Sequence, residues 1–364
     1  MSEPTDLIDR IRLIRTQGIG PIAYRQLMTR FGSAAAAIDA LPDLARRGKG
    51  RTPVVPPVAN AERERAAVAR AGGRFLALGQ GLYPRALAEL ENAPPLITVA
   101  GDLRLLERPK IAIVGARNAS AAACRFARTL AHDLGREDAV VVSGLARGID
   151  SAAHDGSLER GTIAVIAGGL DVYYPPENEA RQKDISERGL LIAEMPPGTE
   201  PHARHFPYRN RIIAGLATGT VVVEAAPRSG SLITARLAAE AGREVMAVPG
   251  SPLDPRAQGC NQLIRDGATL VQNAADVMEA VSTLSGRVAS PTFSFEPMIE
   301  EPRLDADDDV RSRIESLLGA SPVPVDELVR LADTSTAEVQ LVLLELDLAG
   351  RIDRHAGNKV SLTA

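Results

Sequence analysis

The sequence contains few of the residues that hold small secreted proteins or metal sites together. Only two of its 364 residues are cysteine, Cys124 and Cys260, and they lie far apart. This excludes a disulfide framework or a CxxC metal site, so we expect two buried structural thiols. No stretch approaches 18 consecutive apolar residues, which predicts no membrane span. The first segment, MSEPTDLIDRIRLIRTQG, lacks an apolar signal core, so we expect the protein in the cytoplasm.

The sequence also lacks an excess of positive charge and the common nucleotide-binding and catalytic motifs. The net charge is −4, so a nucleic-acid partner requires basic residues that are concentrated locally. There is no GxxxxGK[ST] motif, no GxGxxG with a downstream ribose-binding acid, and no GxSxG elbow. His132 and His154 have no partner at ligand spacing and are predicted to be structural. We therefore expect no metal, no cofactor and no enzymatic activity.

The first part of the chain is predicted to be helical. Apolar residues recur at helical spacing on both sides of Gly18-Ile19-Gly20-Pro21, and Gly32 marks the end of the second helix. Residues 43–60 contain four basic residues and three prolines and are predicted to form a loop. We assign residues 1–70 to a helical domain. A SAM or helix–hairpin–helix module and a plain helical corner are both consistent with this pattern.

The central region alternates between short apolar runs and helical stretches. Runs that are apolar on both faces and spaced by 20 to 30 residues indicate parallel strands between two helical layers. An extended Rossmann-like, doubly wound α/β sheet is therefore predicted for residues 71–284. GGRFLAL and PPLITVAG are candidate edge strands. The main predicted strands are KIAIVG (110–115), AVVVSG (139–144), TIAVIAGG (162–169), LLIAEM (190–195), TVVVEA (220–225) and EVMAVPG (244–250).

The last part of the chain consists of a predicted linker and a third domain. Residues 285–309 lose periodicity and accumulate proline and acidic residues, which indicates a linker. Residues 310–364 show three helical segments followed by a hairpin of RIDRH and NKVSL, the pattern of a winged helix. The predicted recognition helix, TAEVQLVLLELDLA, has three acidic residues and no Lys or Arg. Because it carries no charge to neutralise phosphates, we favour a protein contact or autoinhibition over DNA binding.

Small and basic residues follow several of the predicted strands. Gly115 and Arg117 follow the first, and Ser143, Gly144, Arg147 and Gly148 end or follow the second. Glycine allows close approach of a ligand to the backbone, and the guanidinium donors of arginine match phosphate oxygens. A single turn of this kind is more often only a tight connection. Two such turns at the same sheet edge favour a phosphate site.

Two further clusters extend the predicted site. In the first, Arg209, Asn210 and Arg211 follow Phe206 and Tyr208, rings that either stack on unpaired bases or belong to the core. In the second, Ser229, Gly230, Ser231 and Thr234 begin a helix, where one serine is expected to be an N-cap. Between Thr199 and Arg236 there are five arginines and two acids, which is the local concentration that a nucleic-acid partner requires.

These residues resemble the motifs of the DNA-processing protein A family (DprA/Smf). The resemblance covers residues 110–272. It implies an extended Rossmann domain that binds single-stranded DNA, forms a homodimer, and loads RecA recombinase while displacing single-strand binding protein in natural transformation and DNA recombination. The motifs, in order, are IAIVGARNAS, VVSGLARGIDSAAH, GTIAVIAGGLDVYYPPEN, FPYRNRIIAGL, VVVEAAPRSGSLITARLAAEAGREVMAVPG and GCNQLIRDGATLV.

Three functional hypotheses follow. The leading one is a binding protein that holds the phosphodiester backbone and stacks one or two bases. The second is a nucleotide-processing enzyme like the nucleoside monophosphate phosphoribohydrolases, which Gly219, Thr220, Glu224 and Arg211 resemble only weakly because the preceding PGG is absent. The third is a scaffold with incidental affinity for DNA.

Overall fold

The computed structural model of the protein describes residues 6–285, 306–355 and 357–363. The described residues within Glu62–Ala289 form one compact unit, and those within Thr5–Ala61 and Ser290–Ala364 form a second. Most of the predicted linker at 285–309 lies outside the described residues. In the ranges given, no helix combines the length and apolar character that crossing a bilayer requires.

The N-terminal region is helical, as predicted. Pro21 begins the second helix, Gly32 ends it with φ +72°, and the Ser33 hydroxyl accepts from the Ala36 amide at the start of the third. The prediction of a loop over 43–60 was wrong at its beginning, because the third helix continues to Arg47 despite Pro42 within it. The helices are α1 (Leu7–Ile14), α2 (Pro21–Phe31), α3 (Ala34–Arg47) and α4 (Val58–Arg70).

A nine-stranded sheet forms the centre of the first unit and confirms the predicted α/β class. Its spatial order is β1-β2-β6-β5-β4-β3-β7-β8-β9, in which the strands from β6 to β9 are all parallel neighbours. The two predicted edge strands are β1 and β2. β1 is antiparallel to β2, and β2 is antiparallel to β6. The strands are β1 (Arg74–Ala77), β2 (Leu96–Gly101), β3 (Lys110–Gly115), β4 (Val140–Ser143), β5 (Thr162–Ile166), β6 (Leu190–Ala193), β7 (Gly219–Val223), β8 (Glu244–Ala247) and β9 (Thr269–Leu270).

Helices connect the parallel strands and cover both faces of the sheet. In β3, Ile111 and Ile113 pack into one apolar cluster, whereas Ala112 and Val114 pack into the other. Burial on both faces explains why the strands are continuous apolar runs. The helices are α5 (Arg85–Ala88), α6 (Ala121–Arg136), α7 (Ile149–Ser157), α8 (Glu179–Arg188), α9 (His205–Leu216), α10 (Gly230–Glu240), α11 (Gln258–Arg265) and α12 (Ala274–Ser285).

The C-terminal region forms the predicted winged helix. Its hairpin pairs Ile352 with Leu362 and His355 with Lys359 in antiparallel register, and a short third strand pairs with the hairpin. Ser335 and Glu338 form a capping box at the start of its longest helix. The elements are α13 (Asp308–Leu317), β10 (Val323–Pro324), α14 (Val325–Ala332), α15 (Thr336–Leu348), β11 (Ile352–His355) and β12 (Lys359–Leu362).

The two terminal regions share one hydrophobic core. Leu27 of α2 and Leu41 of α3 belong to the same cluster of buried residues as Val342 and Leu346 of α15. The second unit is therefore built from both ends of the chain, which are brought together by apolar packing.

Candidate nucleic-acid interface

A pocket lies at the carboxyl ends of β3, β4 and β5, the edge at which open α/β sheets bind ligands. Five residues of the predicted site meet there: Arg117, Gly144, Arg147, Phe206 and Arg209. The other residues that line it are Leu145, Ala146, Ile166, Ala167, Gly168, Val172, Tyr174, Pro175 and Pro201. Arg117 and Arg147 come from turns after β3 and β4, and Arg209 comes from α9, so the fold brings together arginines that are separated in the sequence.

The ring of Phe206 is the contact point of two guanidinium groups. The Cζ atom of Arg117 lies 4.9 Å from the ring centroid, and the Cζ atom of Arg209 lies 5.8 Å from it. The Tyr174 ring packs against the same residue, with its centroid 6.0 Å away and its plane inclined by 54°. Phe206 is only partly buried. The pocket therefore combines positive charge with aromatic surface, as sites for unpaired nucleotides do.

The buried side chain of Arg209 interacts with two polar residues, Asn210 and Asp150. Its side chain is almost buried, and Nη1 donates to Oδ1 of Asn210 at 3.2 Å. Burial lowers the pKa of the Arg209 guanidinium, an effect opposed by the negative charge of Asp150. Burial likewise raises the pKa of the Asp150 carboxyl, which accepts the Ala146 amide at 3.3 Å. Asp150 thus supplies a counter-charge for Arg209 and does not line the pocket.

The end of β4 and the turn after it contain one exposed cation, Arg147, and two structural residues, Ser143 and Gly148. Ser143 is fully buried and donates to the Ile113 carbonyl at 2.6 Å, so its hydroxyl faces the sheet interior. Gly148 has φ +72°, and a Cβ there would lie 2.2 Å from the Ala116 carbonyl oxygen. In contrast, the Arg147 side chain is 63% exposed, and Nη1 lies 3.6 Å from Oε1 of Glu177. An exposed pair of this kind is weak, so Arg147 can exchange this partner for a phosphate.

Arg209, Asn210 and Arg211 on α9 are all buried, but they have different partners. Arg211 is 5% exposed, and its Nη2 atom lies 2.5 Å from Oε1 of Glu194. It is held in an internal ion pair, whereas Arg209 lines the pocket. The Asn210 amide donates to the Gly230 carbonyl at 3.4 Å, so this residue connects α9 to the start of α10. Arg211 therefore has an internal partner and does not line the pocket, so its predicted contact with DNA is not part of the proposed site.

The start of α10 follows the N-cap prediction. The Ser229 hydroxyl accepts from the Ser231 amide at 3.4 Å and lies 2.8 Å from the Ser231 hydroxyl. Thr234 is buried, whereas Gly230 is exposed and has no atom within 4 Å of the place where a Cβ would be. None of these four residues lines the pocket. Of the four, Gly230 has the most accessible backbone.

Two residues near the pocket have structural functions. Gly115 lies where a Cβ would be 2.0 Å from the Val223 carbonyl oxygen, so it allows β3 and β7 to approach α7. The Glu224 carboxylate accepts the Ser120 amide at 2.7 Å and thereby caps the approach to α6. Its other oxygen lies 3.5 Å from Nε of Arg256. Glu224 follows the carboxyl end of β7, whereas Gly219 begins the strand at its other end. The four residues of the enzyme-like hypothesis, Gly219, Thr220, Glu224 and Arg211, therefore do not converge on one site.

Sequence reasoning missed Tyr174 and the backbone after β5. Tyr174 is 43% exposed, and Ala167 and Gly168 form part of the pocket wall. The available signal was the pair Tyr173-Tyr174 soon after a predicted strand, in a chain with only five tyrosines. Both tyrosines stand within the motif GTIAVIAGGLDVYYPPEN, but no residue of that motif was assigned to the site.

Family comparisons match all three regions of the chain. Residues 74–282 match the family described as DNA recombination-mediator protein A. Residues 4–67 match a DprA-like N-terminal HHH domain, and residues 299–358 match a DprA winged helix domain.

Individual relatives and solved structures agree with these matches. The DNA processing protein DprA of Streptococcus pneumoniae is 48% identical over 54% of this chain and 70% of its own length. Protein Smf of Escherichia coli is 37% identical over 77% of this chain and 75% of its own. The X-ray structure of the S. pneumoniae protein superposes with a TM-score of 0.65 at 34% identity, covering 76% of this chain and 98% of that one. DNA processing protein A from Helicobacter pylori, described as having a unique single-stranded DNA binding mode, gives a TM-score of 0.53 at 29% identity, over 60% and 98%.

Proposed function

Because the chain belongs to the DNA recombination-mediator protein A family, we propose that it binds single-stranded DNA at the pocket beside β3, β4 and β5. The observation that carries this proposal is the meeting of Arg117, Arg147 and Arg209 in the pocket that also contains the partly exposed ring of Phe206. In this arrangement the guanidinium groups bind phosphates, and the ring stacks on an unpaired base.

The chemistry of the pocket favours a single strand over a duplex. Phe206 and Tyr174 offer aromatic surface within a recess, and a base reaches it only when it is not paired within a helix. A duplex offers phosphates alone to such a site. The resulting binding depends on the backbone and on stacking, so we expect little sequence selectivity.

We further propose that the protein loads RecA recombinase onto the bound strand and displaces single-strand binding protein. Support comes from the family description, which names a recombination mediator, and from the DNA processing relatives. A cytoplasmic homodimer acting in natural transformation is part of the same proposal. The role is one of binding and exchange, without chemistry on the DNA.

The test is an oligonucleotide-length series measured by fluorescence anisotropy, with the mass of the free protein and of the complex measured in parallel. We expect single strands to bind more tightly than blunt duplexes, with a log–log salt slope of about −0.7 for each neutralised phosphate. Equal affinity for both forms would contradict the proposal. RecA filament formation on strands coated with single-strand binding protein tests the loading step separately.

The rival nucleotide-processing function has little geometric support. Arg211 is paired with Glu194, whereas Glu224 contacts the start of α6. Incubation with a panel of nucleoside monophosphates checks the rival directly, since release of free base would support it.

A further inference from the structure

The longest helix of the winged helix, α15, is surrounded by protein. Eight of its thirteen residues are buried, among them Leu341, Leu343 and Leu344, which lie on different sides of the helix. A helix that is apolar all round belongs in a core. A recognition helix that reads DNA instead needs an exposed polar face to enter the major groove.

The residues that cover α15 come in part from the N-terminal helices. Gly48, just after α3, lies so close that a Cβ there would be 2.0 Å from the Glu345 carbonyl oxygen. At Gly50 a Cβ would lie 2.4 Å from the Ala349 Cβ. The Gln26 amide of α2 donates to the Gln340 side chain at 2.6 Å. The contact is thus as close as packing within a single domain.

A buried carboxylate on α15 is paired with arginines from both ends of the chain. Glu345 is 1% exposed. Its carboxylate lies 2.9 Å from Nε of Arg311 in the winged helix and 3.9 Å from Nη1 of Arg47 in the N-terminal domain. Breaking a buried pair by removing one partner leaves an uncompensated charge and is costly. This network therefore links the two terminal domains.

The overall charges of the two terminal domains are complementary. Residues 5–61 contain nine basic and four acidic residues, whereas residues 306–364 contain six basic and eleven acidic ones. Lys49 pairs with Glu315 at 3.2 Å across the same contact. The acidic winged helix, poorly suited to DNA, is well suited to this basic neighbour.

We propose that the winged helix uses α15 to dock permanently onto the chain's own N-terminal helical domain, so that the two act as one body and α15 does not read DNA. The apolar core that they share argues for constant docking, because opening it would expose several buried leucines to water. This proposal is independent of the single-strand site, which belongs to the other unit.

Cleavage of the full chain tests the docking. A protease recognition sequence inserted after Ser290 allows the C-terminal fragment to be separated covalently from the rest. We expect the fragment to co-elute with the remainder in size-exclusion chromatography, even at about 1 M salt, where ion pairs are screened within about 3 Å. A fragment that elutes alone at about 0.15 M salt would overturn the proposal.

A matched pair of alanine substitutions locates the contact. Gly48→Ala places a methyl group against the backbone of α15, whereas Gly319→Ala meets no atom within 4 Å. We expect Gly48→Ala to release the cleaved fragment at least tenfold more readily than Gly319→Ala, with circular dichroism to check that the fragment remains folded. If the C-terminal fragment is retained equally in the Gly48→Ala and Gly319→Ala variants, the contact lies elsewhere and the proposal is contradicted.

A second pair tests whether α15 reads DNA. Ala337 at the start of α15 and Ala320 outside it are both exposed, and each accepts a lysine. We expect Ala337→Lys and Ala320→Lys to change duplex affinity equally. A selective gain for Ala337→Lys would show that α15 faces DNA.

Discussion

A Cβ atom on Gly144 would lie 1.8 Å from Nη1 of Arg209, so the guanidinium occupies the space that any other residue at this position would fill. The atom in the way is the end of a flexible side chain. A substitution at 144 therefore moves the arginine and leaves the sheet in place. This relationship makes the pocket testable without removing a charge.

We expect Gly144→Ala to weaken binding of a single-stranded oligonucleotide about tenfold and also to lower the unfolding free energy, because the buried Asp150 carboxylate loses part of its counter-charge. A charged hydrogen bond contributes about 1.5 to 3 kcal/mol, and most of it is lost when the guanidinium is displaced. Anisotropy titration and urea denaturation measure the two effects. Gly319→Ala, which meets no neighbouring atom, is the control. Unchanged DNA affinity in Gly144→Ala would remove Arg209 from the interface.

The exposed arginines are expected to set the salt dependence. Arg117→Ala and Arg147→Ala should each reduce the magnitude of the log–log slope by about 0.7 if each binds one phosphate of a single strand. The control is Arg104→Ala, because Arg104 is 87% exposed and precedes β3, at the opposite sheet edge. A slope that stays constant in both pocket variants would show that these side chains do not contact phosphates.

Arg211 is expected to affect stability and not the salt slope. Arg211→Met removes the cation that pairs with the partly buried Glu194 carboxylate, which should cost up to about 3 to 5 kcal/mol of unfolding free energy. Urea denaturation measures this loss. The double variant Arg211→Met with Glu194→Gln should recover part of it, because the buried charge is gone. If the slope of the folded Arg211→Met protein falls by about one phosphate, Arg211 contacts DNA after all.

The aromatic surface is expected to contribute through stacking. Phe206→Ala should weaken binding by about 1 to 3 kcal/mol with little change in salt slope, since stacking on one base involves no counterions. Phe206→Tyr keeps a ring and should retain most of the affinity. Should Phe206→Leu bind as tightly as the wild type, the ring serves packing alone. Anisotropy over a salt series gives affinity and slope together.

His154 is expected to make the stability depend on pH. Burial lowers its pKa to about 3 from the ordinary value of 6.5, and Nδ1 forms a hydrogen bond with the Thr162 hydroxyl at 2.7 Å. Between about pH 6.5 and pH 3 the unfolded chain binds a proton at this site and the folded chain does not. The contribution of His154 is therefore present above pH 6.5 and is lost as the pH falls, by about 1.4 kcal/mol per unit.

Denaturation by urea at several pH values checks this expectation. The stability advantage of the wild type over His154→Asn should shrink from pH 6.5 to pH 4.5. His132, which is 53% exposed, provides the control substitution His132→Asn, and we expect that variant to follow the wild type. A constant difference between wild type and His154→Asn would contradict the burial argument.

Local patterns were sufficient to identify the elements. The strand KIAIVG was predicted at 110–115 and is found at Lys110–Gly115, because both of its faces are buried and every position after Lys110 is apolar or small. The predicted loop over 43–60 failed at its start because the basic residues and prolines within that range suggested irregular structure. Tertiary packing of Leu41, Leu44 and Ala45 instead maintains the helix to Arg47.

The pocket was only partly predictable. Glycines and arginines after the strands indicated which turns converge, since carboxyl ends of parallel strands meet at one edge. The sequence could not predict that Arg211 pairs internally while Arg209 lines the pocket, because the two arginines are equivalent in the motif. Their difference depends on Glu194, a residue that follows another strand.

The sequence alone determined the class of fold, the order of the domains and the turns that approach the candidate interface, because periodicity, glycine and charge act over short distances along the chain. Tertiary structure alone decided which arginine of α9 lines the pocket, that Tyr174 joins the pocket, and that the acidic helix of the winged helix packs onto the N-terminal domain. Those outcomes depend on residues far apart in sequence. Burial and ion pairing between them are fixed only when the chain has folded.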